Sequence, residues 1–279
     1  MPPVAVRLTG LLAVLLLATP LPLAAQGLDF ARRGDSPVEV LADDGIEWQR
    51  DRNRFIARGN AVANRGTVSV RADLLIAHYA EEGGGTDIQR LDAEGNVTIA
   101  SPTETATGAS ATYDVPAATL VLNGDPVRLT TPDQVITAHQ SMEYYERKRL
   151  AVARGRAHAV RNGRTITADV LTAHFVETAG GSSEISRFEA FGNVVIDNGA
   201  ETVRGNKGRY EAKTGIATLE GSVKIVRQDD QVAGELAVVD LNTGVSTLYG
   251  SPQGAGGQGR VRAVISPRGQ DSETPTDGQ

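Results

Sequence analysis

Cysteine is absent from the 279 residues. That excludes disulfide staples, thiolate metal sites and cysteine nucleophiles, so the fold must hold by packing and hydrogen-bond ladders alone. Aromatics make up only 4% of the chain, with one tryptophan, Trp48. A core built instead of Ala, Val, Ile and Leu is narrow or open. The cations are scattered and the formal net charge is −6, which argues against a surface that tracks phosphate backbones, so no nucleic-acid partner is expected. Beyond residue 27 no stretch approaches the ~20 apolar residues a membrane helix needs. None shows sustained i, i+3, i+4 periodicity, so no helix is expected in the mature chain.

What is present is glycine, 31 residues of it, and its placement is regular. Gly59 sits in the alternating set Phe55, Ala57, Ala61, Ala63, and Gly95 in Leu91, Ala93, Val97, Ile99. Gly155 and Gly192 sit likewise, the latter among Phe188, Ala190, Val194 and Ile196. Gly124 follows Leu120 and Leu122, and Gly221 lies among Ala217, Leu219, Val223 and Ile225. Each set is an apolar column on one face of a β-strand. A second marker follows each glycine: Val70/Ala72, Ala106/Gly108, Ile136/Ala138, Ile166/Ala168, Val203/Gly205 and Val232/Gly234. A mid-strand glycine weakens a strand unless a bend or close approach needs it. Matched glycines therefore predict strands that all bend at one height, Gly124 included, and pile into a V-shaped cross-section.

A longer period lies on top. Ala72-Asp73-Leu74-Leu75-Ile76-Ala77-His78 reappears as Ala168-Asp169-Val170-Leu171-Thr172-Ala173-His174, and Gly95-Asn96-Val97 as Gly192-Asn193-Val194. The chain reads as an internally duplicated all-β body. Residues 38–140 form its first half and 141–250 a second half continuous with it. Residues 251–279 are a flexible tail, with a possible short strand at 260–266. Residues 1–27, with Arg7, an apolar run and small residues at its end, read as a cleavable signal peptide. An exported, cysteine-free chain fits a bacterial periplasm.

No catalytic constellation, metal-ligand set or cofactor motif emerges, so no enzyme, metal or cofactor is expected. His78 and His174 occupy equivalent places set apart along the stack, and Asp73 and Asp169 point outward as solvated residues. The informative features are the inner wall and the two ends. The wall comprises Phe55, Ala57, Val70, Leu91, Val97, Ile99, Leu122, Ile136, Ile166, Phe188, Val194, Ile196, Leu219 and Ile225. It reads either as a packed core or as an apolar groove for acyl chains, in which each buried CH₂ contributes about 0.8 kcal/mol. A stack that does not close leaves an exposed ladder at each end. Val38 and Val40 mark one end; Val245 and Tyr249, or Val261 and Val264, mark the other. Strand addition to a partner is the natural use of such edges.

Pro37-Val38-Glu39-Val40-Leu41-Ala42-Asp43, then Phe55-Ile56-Ala57-Arg58-Gly59-Asn60-Ala61, resembles the opening of the OstA-like family of lipopolysaccharide-transport proteins. The repeated Gly-Asn-Val and the closing Arg260-Val261-Arg262-Ala263-Val264-Ile265-Ser266-Pro267 are similar to that family too, and the resemblance covers most of residues 37–267. It implies an elongated β-jelly roll of stacked antiparallel strands that takes the lipid A part of lipopolysaccharide into its interior. It also implies head-to-tail self-association, and edge-strand contacts with LptC-like and LptD-like proteins. The leader and the two-unit body are more similar to the bridge components than to the anchored LptC-like members, and no barrel follows as in the LptD-like ones. Residues 80–88 and 177–185 are hairpin insertions relative to the commonest forms. Three readings stand side by side: a non-enzymatic lipid carrier and bridge, or an anchored LptC-like relative of it; a filled structural scaffold; and a glycan-active solenoid, which would need a carboxylate cluster.

Overall fold

The structure is a computed structural model that describes residues 38–82, 85–178, 183–250 and 260–264. The expected leader (1–27), the lead-in (28–37) and the tail at 251–259 and 265–279 lie outside the described residues, as do the hairpin tips 83–84 and 179–182. Among the described residues eighteen strands form one sheet. In order they are β1 (Glu39–Leu41), β2 (Ile46–Gln49), β3 (Arg54–Arg65), β4 (Val68–Glu82), β5 (Gly85–Ala100), β6 (Thr105–Asp114), β7 (Thr119–Asn123), β8 (Val127–Thr130) and β9 (Gln134–Ala138). There follow β10 (Ser141–Tyr145), β11 (Leu150–Arg161), β12 (Arg164–Glu177), β13 (Ser183–Asp197), β14 (Thr202–Glu211), β15 (Ile216–Arg227), β16 (Asp230–Asp240), β17 (Val245–Tyr249) and β18 (Arg262–Val264). The only helical pieces among the described residues are two 3-10 turns, Arg50–Arg52 and Glu146–Lys148.

All pairings are antiparallel, and the long strands pair with their neighbours in chain order. Each glycine column bends where the register slips. In β5 the slip falls between Glu94 and Val97, so Gly95 and Asn96 stand against the single Ala109 of β6. Gly95 has φ +75° and Asn96 φ +49°. Two residues opposing one is a β-bulge, which bends and twists the strand it enters. The left-handed conformation suits Gly first and Asn next, so the Gly-Asn dipeptide is the chemistry the bend requires. The same slip occurs at Gly59-Asn60, Gly155-Arg156, Gly192-Asn193 and Gly221-Ser222.

Gly124 behaves differently from the expected bend within a strand. There the chain leaves the ladder, and β7 and β8 are separate pieces, both pairing with β6. Pro126 has no N–H to give to a ladder, while the Gly124 N–H is taken by the Gln140 carbonyl at 3.2 Å. β9 and β10 are broken in the same way and both pair with β11. The two ends repeat the device. β1 and β2 both pair with β3, and β17 and β18 both pair with β16. Among the described residues these four short strands pair with nothing else, so each end presents a free ladder.

The bend divides every long strand into two arms. One carries Phe55, Tyr79, Tyr113, Phe188 and Tyr210, and all the described aromatic residues lie on it; the other carries Val70, Ile99, Ile166, Ile196 and Ile225. We call them the aromatic and the aliphatic arm. Apolar side chains between the arms form two buried clusters. The first holds Ala72, Ala93, Val97, Ile99, Ala106, Ala111, Leu122 and Val127. The second, larger one runs from Ala138 to Val239, and Met142 packs against both.

Candidate functional site

Between the arms of the first half lies a cavity of about 930 Å³, at the upper end of the roughly 300–1,000 Å³ typical of small-molecule sites. The alternation of the strands positions its walls, since every second residue of β3, β4 and β5 faces inward. Phe55, Ala57, Leu75, Ala77, Leu91, Tyr113 and Leu120 line it from the aromatic arm, and Ala63, Val70 and Ile99 from the aliphatic arm. Val38, Val40 and Ile46 also line it. Those three are exposed residues of the N-terminal edge region, so the cavity reaches the free ladder at that end. Its lining is mostly apolar, with Thr86 and Asp92 of β5 among the polar residues. Arg65 marks one lip, and Asp87, Gln89, Glu146 and Arg147 the other. At the latter, Tyr113 Oη donates to Glu146 Oε1 at 2.9 Å.

The fourteen wall residues expected from the sequence divide between the two halves. Phe55, Ala57, Val70, Leu91 and Ile99 line the cavity. Val97 and Leu122 are buried in the first cluster. Ile166, Val194, Ile196, Leu219 and Ile225 are buried in the second cluster, with Ile136 and Phe188 packed against it. In the second half the expected wall residues are thus core residues, while five of those in the first half border the cavity. The edge residues Val38, Val40, Val245, Tyr249, Val261 and Val264 are all exposed.

The histidines are held singly. His78 meets Asp92 at 3.1 Å and His174 meets Glu189 at 3.3 Å, each across neighbouring strands. Among the described residues no three His, Cys, Asp or Glu side chains group as metal ligands. On the aliphatic arm, the buried Arg161 pairs with Asp133 at 2.8 Å. Burial raises the pKa of Glu104, and also that of Glu201 against the opposing influence of Arg227 and Asn198.

Two groups escaped the sequence reading. Asp73 and Asp169 are exposed as expected, but each accepts a hydrogen bond from the bulge amide of the next strand, Asn96 Nδ2 at 2.8 Å and Asn193 Nδ2 at 2.9 Å. The signal was available, since each Asp follows a marker Ala and each Asn follows a bend Gly. The second group is an aromatic stack that meets the cavity through Phe55. Trp48 lies on Phe55 with centroids 5.3 Å apart, Phe55 meets Tyr79 at 5.2 Å, and Trp48 Nε1 donates to Tyr79 Oη at 2.8 Å. Trp48 was visible as the sole tryptophan, but nothing local in sequence pairs it with Tyr79.

A family model described as LptA/(LptD N-terminal domain) LPS transport protein matches this chain twice, at residues 39–140 and 136–245. An uncharacterized protein of Rhizobium meliloti (strain 1021) is 28% identical over 120 residues, which are 41% of this chain and 63% of that protein. The match thus spans less than two thirds of the relative's length. A crystal structure of LptH, the LptA homologous periplasmic component of the lipopolysaccharide transport device of Pseudomonas aeruginosa, aligns over 83% of this chain and 96% of its own, with 11% identity and a TM-score of 0.21.

Proposed function

The chain belongs to the LptA/LptD N-terminal domain family of LPS transport proteins, and from that premise we propose that it is a non-enzymatic periplasmic carrier and bridge for lipopolysaccharide. The acyl chains of lipid A enter the cavity between the arms, while the sugar–phosphate head stays at the lips in water. The single observation that carries this reading is the apolar cavity of about 930 Å³ that reaches the N-terminal edge. A filled scaffold would leave no such space between the arms, so the cavity favours the carrier. A chain sliding into it is stabilised in proportion to the methylenes it buries, and no directional contact fixes it in place. That suits cargo that must move on. The free ladders at β1–β2 and β17–β18 suit strand addition, to further copies and to LptC-like and LptD-like partners.

A photo-crosslinking residue at Ile99, which lines the cavity, tests the reading in cells. Capture of lipopolysaccharide there supports the carrier. Crosslinks to protein alone, with no lipopolysaccharide adduct, support the scaffold and overturn it.

A further inference from the structure

We propose that Arg50 receives a phosphate of the lipid headgroup beside the cavity. The proposal deepens the carrier reading above and rests on it.

Arg50 opens the 3-10 turn between β2 and β3, where the N-terminal edge meets the tip of the aromatic arm. Its guanidinium lies 3.9 Å from the centroid of the Trp48 ring. Trp48 in turn stacks on Phe55, and Phe55 lines the cavity. The stack is pinned from the side by the hydrogen bond from Trp48 Nε1 to Tyr79 Oη, whose ring is buried. A continuous set of contacts therefore runs from the apolar cavity out to a fixed cation. Held by one face on the indole, the guanidinium keeps its N–H edges available. A long arginine side chain ordinarily loses much rotamer freedom on binding, and stacking removes part of that loss in advance.

The nearby carboxylates are engaged elsewhere. Asp51 pairs with Arg52 at 3.8 Å, and Glu47 accepts from Gln49 at 2.6 Å. Arg147, the cation on the opposite part of the cavity wall, donates to the Pro116 carbonyl. Arg50 is thus an ordered cation beside an apolar cavity, a pairing that matches a molecule with acyl chains at one end and phosphate at the other. The planar guanidinium fork matches phosphate oxygens two at a time, as a lysine ammonium does not. A cation also lies over an aromatic ring at the turn Glu146–Lys148, where the Lys148 ammonium is 5.2 Å from the Tyr145 ring.

The test uses the purified full-length chain and displacement of a fluorescent fatty acid by lipid A or by chemically dephosphorylated lipid A. The wild type should bind the phosphorylated form more tightly. Arg50→Gln should weaken that binding about tenfold, in line with one lost charge-assisted contact, and leave the dephosphorylated form unchanged. Arg50→Lys should recover part of the loss, and Arg52→Gln, in the same turn, should change nothing. Inorganic phosphate should fail to compete.

Equal loss on both lipids would show that Arg50 only supports packing, and unchanged discrimination would assign the phosphate elsewhere. Either result, or an equal effect of Arg52→Gln, overturns the proposal, as does competition by free phosphate. Weakened self-association with lipid discrimination intact would make Arg50 a contact for a partner's carboxylate and overturn it too. If the wild type binds neither lipid, the carrier reading itself fails.

Discussion

Gly205 has no room for a side chain. A Cβ there would stand 2.6 Å from Leu219 Cγ, because the leucine of the next strand leans across the bend onto the glycine. Gly108 under Leu122 and Gly234 under Leu248 repeat the contact. Where the marker is alanine, at Ala72 and Ala168, the residue in the leucine's place on the next strand is Ala93 or Ala190, opposite Leu75 and Leu171. The choice between Ala and Gly is therefore steric. Gly205→Ala should cost about 1–3 kcal/mol by overpacking, and the double variant with Leu219→Ala should lose much less than the two single costs added together. Urea midpoints measure the cycle, and additivity would sink the steric account. Glu201 acts through pH. Burial raises its folded pKa, so the native state holds a proton that the unfolded chain releases near the usual glutamate value of about 4.3. Stability then falls as pH rises from that value through the folded pKa. Glu201→Gln, which cannot ionise, should gain on the wild type between pH 4 and pH 7 in denaturation midpoints. A constant difference across that range would count against it.

At the scale of the element, the bend is a unit of three residues. Gly95 and Asn96 leave the ladder, Asn96 bonds back to Asp73 at 2.8 Å, and a Cβ at Gly95 would collide with the Asp73 carboxylate. Asp169 with Gly192 and Asn193 is the copy, and Asn60 bonds to Asp43 at 2.8 Å where β1 turns toward β2. Asp73→Ala removes one partly solvated hydrogen bond, so its expected cost is about 0.5–1.5 kcal/mol. Asp169→Ala should cost about the same, since the geometry is copied; thermal or urea unfolding of both reads this out. The bends were legible because a positive φ leaves a mark in sequence, glycine and then asparagine. The break at Gly124 was missed because its glycine follows the same apolar column as the others, although Pro126 two residues on, which cannot donate to a ladder, carried the signal. The turns Arg50–Arg52 and Glu146–Lys148 were not legible, as three residues carry no periodicity.

For the whole molecule, one property lies beyond any single strand: the distance between the arms. Ile99 and Ile196 are equivalent in sequence and each is buried in the cluster of its own half, and Ile99 also lines the cavity. Strand pattern says which residues face inward, and the summed twist and bend of the sheet decide how much room they find. Ala57 and Ala153 turn that difference into an experiment. They hold the same place in β3 and β11, opposite Leu75 and Leu171 respectively. A phenylalanine at 57 grows into existing space, so Ala57→Phe should keep the unfolding midpoint near the wild type while lowering lipopolysaccharide capture at Ile99. A phenylalanine at 153 enters the buried cluster of the second half, where overpacking costs about 1–3 kcal/mol, so Ala153→Phe should lower the midpoint. If both variants unfold alike, the two halves are equally packed in solution and the site for acyl chains is lost. If Ala57→Phe is stable and still captures lipid undiminished, the chains travel outside the cavity.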